Sequence, residues 1–253
     1  MVDSDIRLEA LSALCNTPVT SCQAQVLGHG PCLASALPMS VMGFVSAAMG
    51  RSGDDGEGLV IDEDEFFDRR YDFDFSKLKD KCTYYRGGEV YHRPCGWLRF
   101  ALKTPSGLPS YVTPQVWDKY PDGNVWLGER GHCTTTYSKL GEWPVSYHGT
   151  SKNGARAIIV TNYQPGPGQK YGRGVYSTPY LEDAVDYTKT FQSKATGKKY
   201  RVVMQNRMNP AYREKHNGDK YWLLPIPEGL TQDQEQDLVE KAIRPCAVLI
   251  KPL

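Results

Sequence analysis

The sequence predicts a mixed α+β domain with a mostly antiparallel strand core, few helices and a poorly ordered N-terminal extension. Three observations predict it. From residue 71 onward, short runs rich in aromatic and β-branched residues alternate with Gly, Pro and Asn turn signals. Only two segments in that region carry the 3.6-residue apolar period of an amphipathic helix. Charge divides the chain: residues 54–74 hold ten acidic and two basic residues, leaving about +10 on residues 75–253 although the whole 253-residue chain nets +1.

Residues 1–70 read as an extension with an acidic linker, partly disordered or regulatory. The stretch "MVDSDIRLEA" is acidic where a secretory signal needs positive charge. "CLASALPMSVMGFVSAAMG" approaches membrane-spanning length but contains a proline and small polar residues, with no basic residue close before it. It predicts a loosely ordered or partner-docked segment, and no membrane partner. The seven cysteines are irregularly spaced without CxxC, which predicts reduced thiols and an intracellular, cytoplasmic or nuclear location. His92, Cys95, His132 and Cys133 do not have standard zinc spacing, so no metal is expected. The basic body calls for an acidic ligand, such as a phosphate-rich cofactor or a nucleic acid, and the acidic segment 54–74 is expected either to fold back on it or simply to keep the chain soluble.

The domain proper runs from 71 to 253, with accessory strands in 71–140 and a core in 141–253. "TYYRGGEVYHRPCGWLRFALK" predicts a hairpin at its Gly-Gly, and "NVWLG" and "WPVSYHG" predict short strands. "SKNGARAIIVTNY" predicts a helix capped by Ser151 or Thr150, with Ala155, Ile158 and Ile159 apolar. "QPGPGQKYGRG" is a loop by composition, and "GVYSTP" a strand. "LEDAVDYTKTF" predicts an amphipathic helix with Ala184, Tyr187 and Phe191 on one face. "KYRVVMQNRM", "KYWLLPI" and "CAVLIKPL" predict the remaining strands. No internal repeat is present.

Three motifs fall in a fixed order. "HGTS" ends a strand; "GRGVYST" follows, with Tyr176 28 residues after His148; Tyr187 comes 11 residues later. By default each is ordinary: a core histidine, a turn, a core tyrosine. In combination they resemble the NAD-binding core of the poly(ADP-ribose) polymerase-like, diphtheria-toxin-type ADP-ribosyltransferases, over residues 143–253. The resemblance implies a split antiparallel sheet and NAD+ as substrate. It implies that His148 bonds a ribose hydroxyl and that the Gly149 backbone meets the nicotinamide carboxamide. Tyr176 and Tyr187 would stack on the nicotinamide, and Thr150 or Ser151 would reach the ribose or carboxamide. Arg173 would meet the pyrophosphate, with Tyr171, Gly174 and Ser177 completing the cofactor-binding set.

The sequence departs from the family at one position. Chain-elongating members carry a Glu that bonds the ribose and polarises the acceptor. The matching stretch is "GDKYWLLP", where that position falls on Lys220, and Asp219 beside it would point to the other face of a strand. A charged Lys accepts no proton. The expectation is therefore a mono-ADP-ribosyltransferase acting on a protein or nucleic-acid acceptor, with His148, Tyr176 and Lys220 at the reacting centre. The alternative is a catalytically silent module that binds NAD+, ADP-ribose or nucleic-acid ends.

Overall fold

A computed structural model describes residues 4–15, 19–20, 61–62, 67–102, 125–127, 135–194 and 196–253. The apolar stretch 32–50, most of the acidic segment, and His132 with Cys133 lie outside the described residues. The architecture is α+β, and among the described residues all strand pairs but one are antiparallel. None of the described helices is long and apolar enough to cross a membrane.

Two ten-residue strands organise the fold: β11 (Lys199–Met208) and β14 (Ile243–Pro252), paired antiparallel along their length. Both are buried on both faces, which accounts for the unbroken apolar runs "VVM" and "AVLI". Their register shifts between Gln205 and Asn206, so that Ala247 and Pro245 oppose them and Cys246 forms the extra residue of a bulge. That shift accommodates a proline inside a central strand.

The sheet extends through β6 (Leu98–Ala101) and β3 (Phe73–Asp74) beyond β14, with β10 (Phe191–Gln192) and β7 (Val145–Gly149) on the other side of β11. A second, four-stranded sheet has the order β12 (Glu214–His216), β13 (Tyr221–Pro225), β9 (Gly172–Ser177), β8 (Gly166–Gln169). A two-stranded hairpin, β4 (Tyr85–Arg86) and β5 (Glu89–Val90), turns at Gly87 and Gly88. Both glycines have positive φ, at 59° and 77°, as a tight primed turn requires.

The main core lies between the large sheet, the inner side of the second sheet and three helices: α1 (Ser4–Cys15), α2 (Lys152–Thr161) and α4 (Gln232–Ala242). A smaller core on the opposite face of the large sheet packs Val203, Leu249 and Tyr147 against the β4–β5 region and α3 (Leu181–Val185).

Several elements differ from the sequence expectation. Residues 4–15, assigned to a poorly ordered extension, form α1, whose Ala10, Leu11 and Leu14 are fully buried in the main core. Its Arg7 pairs with Asp72 at 2.7 Å, both almost fully buried, so part of the acidic segment contacts this helix. Within "NVWLG" the described residues, Val125–Leu127, form a single 3-10 turn rather than a strand. The turn places Trp126 against Trp143 and Arg244. The loop "QPGPGQKYGRG" contains β8, an edge strand whose pairing with β9 needs only backbone atoms. The "LEDAVDYTKTF" helix stops at Val185. Its last turn tightens through i→i−3 bonds from Tyr187 and Thr188, and Phe191 joins β10 instead. α4 was not expected from periodicity, although Thr231 and Gln234 form a capping box at its start.

α1 is anchored by more than apolar contact. Glu9 accepts hydrogen bonds from Lys198 (2.7 Å), Tyr200 (2.7 Å) and the Thr196 hydroxyl. Burial alone would raise this carboxyl, but the three donors outweigh it and bring its pKa down to about 2 from 4.5. The folded state thus holds this proton less tightly than the unfolded chain, so its stabilisation is complete above about pH 4.5 and lost as pH falls towards 2. Urea midpoints measured across that window are expected to fall more steeply in the wild type than in Glu9→Gln. Leu14→Ala, which empties a fully buried site, is expected to cost about 3 kcal/mol in the same assay.

Candidate functional site

Among the described residues the two sheets share one backbone bridge. Tyr147 N–H donates to the Thr178 carbonyl at 2.7 Å, and Thr178 N–H donates to the Tyr147 carbonyl at 2.9 Å. Beyond this bridge the sheets separate, and a cavity of about 630 Å³ occupies the gap. That volume lies within the usual range for small-molecule sites.

β7 supplies one wall. Antiparallel alternation sends the backbone groups of Ser146 and His148 towards β11 and those of Tyr147 towards the second sheet. Two residues on, the same alternation directs the N–H and C=O of Gly149 into the gap. Gly149 also has a packing reason to be glycine: a Cβ there would come within 1.7 Å of the Ala184 carbonyl oxygen. Only a bare backbone lets the end of β7 pass under α3.

His148 Nδ1 lies 2.7 Å from the Tyr176 carbonyl, which can only accept, so Nδ1 carries the proton. Burial lowers the imidazole pKa below its ordinary 6.5, with the bond to the Tyr176 carbonyl opposing the shift. The ring is neutral at pH 7, and its Nε2 is an acceptor. It packs edge-on against Tyr163, 5.1 Å between centroids.

β9 supplies the facing wall. Gly174 sits where a Cβ would meet the Leu224 carbonyl at 2.0 Å, so close pairing with β13 needs glycine. Tyr176 is fixed by its hydroxyl, which donates to the Gly172 carbonyl (2.8 Å) and accepts from Tyr171 N–H (3.1 Å). Tyr171 stacks on His216 at 4.4 Å with 9° between planes, tying the β8–β9 turn to β12. At the rim, Tyr187 is 63% exposed, and the neighbouring Tyr221 hydroxyl raises its phenol pKa.

The structure thus brings His148, Gly149, Tyr171, Gly174, Tyr176, Ser177 and Tyr187 onto one cavity. It places four other expected residues elsewhere. Ser151 is the N-cap of α2, accepting from Gly154 N–H at 3.2 Å, and Thr150 packs beside it. Arg173 pairs with Glu235 of α4 at 2.7 Å, on the face of β9 opposite Tyr176. Lys220 lies in the β12–β13 turn rather than on a strand, and its ammonium pairs with Asp183 at 2.8 Å. Asp219 is in the same turn, at φ 72°, with its carboxylate on Lys215. None of the described residues lining the cavity is an Asp or Glu.

Sequence reading did not single out the far end of the cavity, formed by α2 and the residues that follow it. Gly154, Ala157, Ile158 and Thr161 recur at helical spacing along that wall, followed by Asn162 and Tyr163. The Tyr163 hydroxyl donates to Asn206 Oδ1 at 2.6 Å, and burial raises its pKa well above the ordinary value.

No family model matches the sequence, and no curated protein matches it.

The neutral state of His148 is measurable. Its folded pKa lies below the unfolded 6.5, so stability is complete above that pH and falls as pH drops below it. Unfolding free energies measured between pH 7 and 5 are expected to decline in the wild type and to decline less in His148→Asn.

Proposed function

We propose that the cavity binds NAD+ and that the protein is an ADP-ribosyltransferase of the poly(ADP-ribose) polymerase-like kind, transferring single ADP-ribose units to a protein or nucleic-acid acceptor. The observation that carries this reading is the convergence of His148, Gly149, Tyr176 and Tyr187, from three separate chain segments, on one cavity between the diverging sheets.

The chemistry asked of these residues is limited. The bond between nicotinamide nitrogen and ribose C1′ breaks heterolytically, nicotinamide leaves with the electron pair, and positive charge develops on the ribose. The acceptor nucleophile then bonds C1′ and its proton, where it has one, leaves to solvent. His148 Nε2 accepts from a ribose hydroxyl, holding the sugar in place. The Gly149 N–H and C=O pair with the carboxamide and prevent ring rotation. The tyrosine rings flank the nicotinamide. With no carboxylate among the described lining residues, the site has no evident general base for successive transfers. That favours single transfer over elongation.

The same feature supports a second reading, a silent module that binds NAD+ or ADP-ribose, or a nucleic-acid end, without turnover. Incubating the full chain with labelled NAD+ separates the two. Nicotinamide release with label transfer to protein or RNA, lost in His148→Ala and Tyr176→Ala, is the expected result. NAD+ binding without nicotinamide release selects the silent module. A chain that binds neither NAD+ nor ADP-ribose overturns both readings.

A further inference from the structure

We propose that Lys170 is the cation that meets the pyrophosphate of the bound dinucleotide; this rests on the NAD+ reading above.

NAD+ and ADP-ribose carry their negative charge on two linked phosphates, and a positive side chain is the natural partner for it. The sequence suggests Arg173 for this role, but its guanidinium pairs with Glu235 on the other face of β9. Lys170 is the one Lys or Arg among the described residues lining the cavity, and no Asp or Glu lines it with Lys170. With His148 neutral, the charge on the described walls is of one sign. Among the described residues no carboxylate pairs with the Lys170 ammonium, whereas Arg173, Lys215 and Lys220 each have one. An anionic ligand that meets Lys170 therefore breaks no ion pair of the protein, and meets no like charge beside it.

The chain also sets where this cation stands. Gln169 pairs with Gly172, so Lys170 and Tyr171 are the two corner residues of the β8–β9 hairpin. The Tyr176 hydroxyl braces that corner, accepting from the Tyr171 N–H at 3.1 Å and donating to the Gly172 carbonyl at 2.8 Å. Tyr171 is held in turn by its stack on His216. The Lys170 ammonium lies 5.3 Å from the centroid of the Tyr171 ring, which itself lines the cavity.

This bracing joins Lys170 to the rest of the reading. Tyr176 is a ring assigned to the nicotinamide, and Lys170 is one residue from the bond that its hydroxyl makes. In a dinucleotide the pyrophosphate follows the nicotinamide ribose after a single methylene. A compact charge on a flexible four-carbon stem, starting from that corner, suits a phosphate group placed there.

The test titrates the full chain with ADP-ribose and with a carbocyclic NAD+ analogue that cannot lose nicotinamide, reading affinities by calorimetry. Lys170 is exposed at a hairpin corner, so its variants are expected to melt with the wild type. Lys170→Gln is expected to bind both ligands about tenfold more weakly, Lys170→Glu more weakly still, and Lys170→Arg within about threefold of the wild type. Lys251→Gln makes the same change of charge at an exposed residue that does not line the cavity, and is expected to bind as the wild type does. In about 1 M salt, where screening acts within roughly 3 Å, the gap between wild type and Lys170→Gln is expected to narrow. Unchanged binding by Lys170→Gln, an equal loss in Lys251→Gln, or a loss that Lys170→Arg does not restore would overturn the assignment while leaving the NAD+ reading intact. Failure of the wild type to bind either ligand would remove that reading, and this one with it.

Discussion

One pair of backbone hydrogen bonds, between Tyr147 and Thr178, fixes the geometry on which the rest of the site depends. It joins two sheets that otherwise run apart. A longer shared ladder would have merged them and closed the gap; with no bridge at all, β7 and β9 would have no fixed separation. Because the contact falls at residue 147, strand alternation delivers the backbone of Gly149 and the ring of His148 to the start of the opening. The Tyr176 carbonyl, two residues before Thr178, then meets His148 Nδ1 and sets its tautomer. A backbone contact thereby decides which imidazole nitrogen is left as an acceptor.

That contact holds only because β7 is rigid. Its partner β11 is paired on both sides and buried on both faces, with β14 beyond it and helices α1, α2 and α4 against the core. The most strongly buried part of the molecule thus supports the wall carrying His148. The facing wall is the smaller sheet, which shares that core through Val175, Trp222 and Leu224 and whose edges are tied by turns and ring stacking such as Tyr171 on His216. Difference in support between the two walls follows from chain connectivity: β11 and β14 are long central strands, whereas β8 and β12 are short edge strands.

Where the sequence was legible, one period or one turn signal dominated. β11 coincides with "KYRVVMQNRM" because a strand buried on both faces shows a continuous apolar run, and the Gly87–Gly88 turn is readable because few other residues accept those angles. α1 was not legible: its buried Ala10, Leu11 and Leu14 make a weak stripe broken by Arg7 and Glu9, whose polar partners are distant in sequence. β8 was hidden by glycines that favour loops unless a neighbouring strand pairs with them. In the site, His148, Gly149, Tyr176 and Tyr187 were found because they sit in local motifs. The wall formed by the end of α2 was not, because its backbone turn at Asn162 (φ 69°) is not written in residue type. Arg173 and Lys220 were misplaced for the converse reason: each has a nearby carboxylate, Glu235 or Asp183, that sequence order does not reveal.

The Lys220–Asp183 pair bears on what the site can do. The hydrogen bond to Asp183 raises the Lys220 pKa, so the ammonium stays protonated through the physiological range and cannot serve as a base. His148 is neutral, but on the NAD+ reading its free nitrogen is occupied by a ribose hydroxyl. Neither group is then available to take a proton from an incoming nucleophile. A nucleophile that arrives already ionised avoids the problem: a carboxylate or a terminal phosphate needs no deprotonation before it attacks C1′. A sugar hydroxyl does, and the hydroxyls of a growing ADP-ribose chain are of that kind. On that reading, the absence of a base among the described lining residues would limit the acceptor more than cleavage of the glycosidic bond, whose leaving group departs without the help of a base.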